Sequence, residues 1–110
     1  MTFDKFTIKA QEAIQSALDT AKRNGQQTIE PVHILAGVMD KGKDVTDYVL
    51  QKLGVNAQTV ELSLQNEIKH LPKVSGGEPY FSPDSNKVLE KTLDISQKLG
   101  DDYVSIEPLL

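Results

Sequence analysis

FTIKAQEAIQSALDTAKRNG, from Phe6 to Gly25, and FSPDSNKVLEKTLDISQKLG, from Phe81 to Gly100, are written on one plan. Each opens on a phenylalanine before a hydroxyl residue, runs through one long amphipathic stretch and closes on glycine, at a constant offset (81 − 6 = 75). Ala10, Ala13, Ile14, Ala17, Leu18 and Ala21 recur at three- and four-residue spacing, which predicts a helix with one apolar stripe. The same stripe falls on positions 85, 88, 89, 92, 93 and 96 of the second copy. Thr7 and Ser82 are the predicted N-caps, since their hydroxyls can accept from an orphan amide one turn on. Pro83 suits a first helical position, and Gly25 and Gly100 suit the left-handed residue after a helix. Ile29-Glu30-Pro31 then recurs as Ile106-Glu107-Pro108, and an ordered set of matches of this kind points to duplication.

Between the copies, Pro31 opens a predicted second helix whose buried side is Val32, Ile34, Leu35, Val38 and Met39, ending near Lys41-Gly42. A third helix is expected after Asp44 as N-cap, carrying Tyr48, Val49, Leu50 and Leu53 and ending at Gly54. A fourth follows Asn56 as N-cap, carries Val60, Leu64, Ile68 and Leu71, and is stopped by Pro72. Residues 72–81, with Gly76-Gly77 and two prolines, read as a loop. Val55–Val60 and Tyr103–Ile106 are too short to support a sheet. The expected architecture is therefore all-α: a pseudo-twofold, duplicated helical bundle forming a single domain over residues 1–110. Repeat one covers about 6–71, the linker 72–81 and an incomplete second repeat 82–110. Because Pro31 opens three helices and Pro108 is followed by two residues, the chain is expected to continue beyond Leu110, or to have that face covered by a partner.

Composition narrows the function. The chain of 110 residues carries 12 Lys and Arg against 16 Asp and Glu, a net charge of −4. Such a surface repels phosphate backbones and anionic lipid, so neither nucleic acid nor membrane is an expected partner. With no cysteine, thiolate metal sites and thiol nucleophiles are excluded. Gly37-Val38-Met39-Asp40-Lys41-Gly42-Lys43-Asp44 nearly fits a phosphate loop, but Asp44 replaces the hydroxyl residue that holds magnesium and no strand precedes it; it reads as a helix end. His33 and His70 lack a metal-ligand spacing and read as satisfied surface or edge histidines. Carboxylate pairs such as Asp101-Asp102 read as solvated or capping, so no catalytic residue is assigned.

DKFTIKAQEAI (Asp4–Ile14), IEPVHILAGVM (Ile29–Met39) and KLGDDYVSIEPLL (Lys98–Leu110) resemble the N-terminal domain of Clp-type AAA+ chaperones, and HLPKVSGGEPYFSP (His70–Pro83) resembles the inter-repeat linker of the ClpB disaggregase branch. The resemblance covers all of the chain and about three-quarters of the family's domain. It implies a non-enzymatic, cytoplasmic binding module of a stress-response chaperone, which engages unfolded or aggregated clients for threading by later domains. ATP and magnesium would be bound only in those absent domains, which would also build the homohexamer, with a DnaK-type chaperone system as partner of the full-length protein. The neighbouring expectation within the family is the equivalent domain of a ClpA- or ClpC-type unfoldase, which docks adaptor proteins for proteolysis. Thr7, Asp101 and Glu107 match positions that bear on chaperone activity in the family, although each also stands at a helix end where it can cap. Ile95 and Leu99 lie off the shared stripe, where the first copy has Thr20 and Asn24. With Tyr103 and Ile106 in the adjoining loop they are the candidate apolar contacts, to be weighed against burial beneath helices that follow. Such a groove is expected to bind weakly, at ~10–100 μM, because its clients share hydrophobicity rather than sequence.

Overall fold

The computed structural model describes residues 6–74, 77–98 and 105–109. Helix α1 spans Ile8–Arg23, α2 Pro31–Lys41, α3 Lys43–Lys52, α4 Ala57–Lys69 and α5 Pro83–Lys98, followed by a 3-10 helix over Glu107–Leu109. The helical reading of the sequence holds. Both long helices have 16 residues and start 75 positions apart, as the repeat requires. In α1 the stripe is buried at Ala10, Ala13, Ile14, Ala17 and Ala21. In α5 the matching buried positions are Ser85, Leu89, Thr92 and Ser96. Three of these are small hydroxyl residues in place of alanines. Ser85 Oγ donates to the Ile29 carbonyl at 2.7 Å and Thr92 Oγ1 to the Val88 carbonyl at 2.7 Å, so their burial leaves no orphan.

The caps are those the residue types dictate. Thr7 Oγ1 accepts from the Ala10 amide at 3.2 Å, Asn56 Oδ1 from the Thr59 amide at 3.2 Å and Ser82 Oγ from the Ser85 amide at 3.0 Å. At the end of α1, Gly25 takes φ +66, with its amide on the Lys22 carbonyl and the Gln26 amide on the Ala21 carbonyl, the Schellman pattern. Ser82→Ala removes an acceptor that is buried with its amide, and is expected to lower stability by about 1 kcal/mol. That is a fall in Tm of about 4 °C by thermal melting; an unchanged Tm would show that this cap contributes nothing.

Four readings need correction. Residues 72–81 are not loop throughout: Tyr80–Phe81 form strand β2, which pairs in parallel with β1, Thr28–Ile29, in the register Thr28↔Tyr80 and Ile29↔Phe81. Two residues are too few to show an alternating pattern, and the pairing is long-range. The start of α3 is capped by Gly42 rather than Asp44, which sits in the first turn. Only Thr46 of α3 is fully buried, whereas Tyr48 and Leu53 face solvent. Finally, His33 is not a surface or edge residue: it is completely buried, as is Gly37 one turn on, while Val32 and Leu35 are only half-buried.

The reason for that last shift lies in how α1 and α2 meet. A Cβ on Gly37 would strike the Ala13 carbonyl oxygen and stand 3.1 Å from the Ala17 amide nitrogen. The two helices thus touch backbone to backbone along Ala13, Ala17 and Gly37, and the side of α2 bearing residues 33 and 37 turns inward. His33 is accommodated there by a chain of hydrogen bonds. The Glu30 amide donates to Nδ1 at 2.9 Å, so Nε2 carries the proton and donates to Gln26 Oε1 at 2.7 Å. The Gln26 amide nitrogen in turn donates to the Ile68 carbonyl at the end of α4. Burial lowers the His33 pKa below 6.5, with the nearby Glu30 carboxylate opposing. One core runs through all of this, from Phe6 and α1 through Ile34, Val38 and Leu89 to Ile106 and Leu109.

Candidate functional site

Phe6 and Ile106 belong to the same core. Thr7 and Glu107, each one residue further on, therefore leave that core as neighbours in sequence of its two ends. The 3-10 helix is tied to α5 where Thr92 Oγ1 approaches the Pro108 carbonyl at 3.5 Å. Ile95 lies three residues beyond Thr92 on α5 and is 36 % exposed. The 3-10 helix and α5 are thus joined directly, while α1 reaches the same core through Phe6.

Each candidate has a definite place. Thr7 is half-buried and caps α1 through its hydroxyl. Glu107 is exposed and accepts from the Ser105 hydroxyl at 2.7 Å. That bond, with the backbone amide of Glu107 itself, holds its carboxyl below the usual 4.5 and keeps it anionic at the start of a helical turn. Ile106 is only 4 % exposed and packs over Gly42, where an added Cβ would stand 2.8 Å from its Cγ2. As placed, it supports the surface from beneath rather than forming it. Leu99, Asp101 and Tyr103 lie outside the described residues.

One residue escaped the sequence reading. Ile8, the first residue of α1 and the neighbour of Thr7, is 77 % exposed, the highest exposure of any large apolar side chain described. The signal was available, because Ile8 lies off the 10/13/14/17/18/21 stripe just as Ile95 lies off its counterpart. Next to Thr7 it puts an exposed apolar side chain beside a capping hydroxyl at the start of α1.

Other chemistry is absent from the described residues. No group of three or more His, Asp or Glu side chains could hold a metal ion there, and no helix is long and apolar enough to cross a membrane. The segment resembling a phosphate loop spans the α2–α3 junction, with Gly37 against Ala13, Gly42 under Ile106, and the Gly42 amide already donating to Val38 at 2.7 Å.

Comparison with known proteins agrees with this architecture. The family model for the Clp repeat (R) N-terminal domain matches residues 5–110. ClpB chaperones of Bacteroides thetaiotaomicron and Porphyromonas gingivalis are 53 % and 43 % identical over 110 residues, the whole of this chain. The chain spans 13 % of the length of each. The Hsp104 N-terminal domain from Candida albicans superposes with a TM-score of 0.87 at 21 % identity, covering 96 % of this chain and 71 % of that one, which is a likeness of fold. Its helices, its core and its sequence together place this chain in the Clp repeat N-terminal domain family, on the side of the ClpB chaperones.

Proposed function

We propose that this domain is the client-binding module of a ClpB-type disaggregase, holding exposed apolar segments of unfolded or aggregated proteins in the cytoplasm for threading by ATPase domains elsewhere in the protein. The observation that carries this reading is the solvent exposure of two apolar side chains off the buried stripes, Ile8 beside Thr7 on α1 and Ile95 on α5. An exposed isoleucine forgoes about 1.5–3 kcal/mol of burial, which an apolar client segment recovers on contact. Leu99, Asp101 and Tyr103 belong to the same proposal, with Ile106 as their support. The rest of the machine, a homohexamer with ATP and magnesium in its motor domains and a DnaK-type system as co-chaperone, follows from the same reading.

A permanently unfolded model client, reduced and carboxymethylated α-lactalbumin, is expected to bind the chain with Kd ~10–100 μM. The double change Ile8→Ser and Ile95→Ser is expected to weaken this about fivefold, and Ile8→Ser alone, at the more exposed position, to weaken it with Tm unchanged. Thr7→Ser, which keeps the cap, separates capping from contact. Saturable one-to-one binding of an adaptor protein, with no affinity for the unfolded client, would instead support the adaptor-docking role of the unfoldase branches.

A further inference from the structure

α1, α2 and α4 line one groove. α1 and α2 run antiparallel, since a short turn joins them and Ser16 Oγ donates to Asp40 Oδ2 at 3.0 Å. α4 runs antiparallel to α2 as well, because its last turn meets Gln26 beside the start of α2. Between α1 and α4 lies a groove of about 500 Å³, floored by Met39, Leu64 and Ile68. Its α4 wall presents Glu61, Leu64, Gln65, Ile68 and Lys69, the three- and four-residue spacing by which a helix faces another helix.

The charges in this groove are sorted. Arg23 and Lys69, at the last turns of α1 and α4, stand at one end, and Asp40 and Glu61 at the other. Glu61 and Lys69 are about 12 Å apart along α4. Among the described residues the one ion pair that any of the four makes is Asp40 with Lys41, at 3.9 Å. A helix laid in this groove packs antiparallel to α1 and α4, as neighbours do in an up-down bundle. It would enter beside Arg23 and Lys69 and leave beside Asp40 and Glu61. A helix with carboxylates in its first turn and lysines or arginines in its last satisfies those charges and its own dipole together. The floor residues are at most 8 % exposed, so there is little apolar area left to bury and the charges must supply most of the selectivity.

We infer that this groove docks an amphipathic helix of a partner protein, acidic at its start, small and apolar along one face and basic at its end, at a site separate from the one carrying Ile8 and Glu107. The probe is a stapled helical peptide of about fourteen residues with two glutamates in its first turn, an Ala/Leu face and two lysines in its last, alongside the same peptide with those charges exchanged. The first peptide should shift the amide resonances of Ser16, Thr20, Ala36 and Gln65, with an affinity that falls as salt is raised. Asp40→Lys with Glu61→Lys should weaken it about tenfold and favour the exchanged peptide; Arg23→Glu with Lys69→Glu should do the same from the opposite end. All four side chains border solvent, so these variants keep the fold. Equal binding of the two peptides, or shifts away from the groove, would overturn the inference. So would concentration-dependent shifts at the groove in the chain alone, which would mark it as a contact between copies.

Discussion

Gly37→Ala is expected to lower the Tm of this domain by about 12 °C, corresponding to about 3 kcal/mol. In an isolated helix the change would be favourable by about 1 kcal/mol. Here the new methyl meets the Ala13 carbonyl and the Ala17 amide, which are backbone and cannot rotate aside. Relief requires α2 to move away from α1, and that strips the contacts of Ala10, Ala13, Ala17 and Val38, all essentially inaccessible to solvent. Overpacking at a flexible side chain costs far less, so the size of the effect is the diagnostic. A variant within 3 °C of the parent would show that the helices have room to separate, and that the alanine stripe is not a close-approach surface.

The second large effect is at Gln26. Gln26→Leu keeps volume but leaves the buried His33 Nε2–H without an acceptor, while the Ile68 carbonyl loses one of two donors and keeps the Leu71 amide at 3.2 Å. One buried group orphaned in this way costs about 1–3 kcal/mol, seen as a comparable loss in denaturant unfolding. His33 also makes stability depend on pH. Its folded pKa lies below 6.5, so the unfolded chain binds the proton more readily. The stabilisation is complete above about pH 6.5 and is lost progressively as pH falls towards the folded value. Protonation also removes the lone pair on Nδ1 that the Glu30 amide uses. Tm should therefore fall as pH drops below about 6.5, and His33→Gln should flatten that slope. Glu107 does not confuse the reading, because its own proton is taken up below 4.5. An unchanged slope in His33→Gln would assign the pH dependence elsewhere.

Much of this fold was legible because it is local. The α1 stripe, the hydroxyl caps at Thr7 and Ser82 and the glycine after α1 are fixed by residues within one or two turns of each other, and they recur 75 positions on. What failed was set by distant partners. Tyr80 and Phe81 become a strand only because Thr28 and Ile29 lie alongside. His33 became core because an alanine-faced α1 lets α2 come so near, and because Gln26, in a separate turn, supplies the acceptor a buried imidazole needs. Tyr48 and Leu53 show the reverse: an apolar pattern on a short helix does not oblige it to bury. At the candidate site, Thr7 and Glu107 were legible as helix ends and Ile95 as an off-stripe apolar residue. Ile8 was equally legible, as an apolar residue off the buried stripe of the first copy. The burial of Ile106 depends on Gly42, sixty-four positions away (106 − 42 = 64), and no local pattern reports that.

Amide shift mapping of the isotope-labelled chain against reduced, carboxymethylated α-lactalbumin tests the client-binding role most directly. The perturbed amides should cluster at Thr7, Ile8, Ile95 and Glu107, extending to Leu99, Asp101 and Tyr103. Shifts confined to α3 and α4, or no shifts at millimolar client, would contradict it.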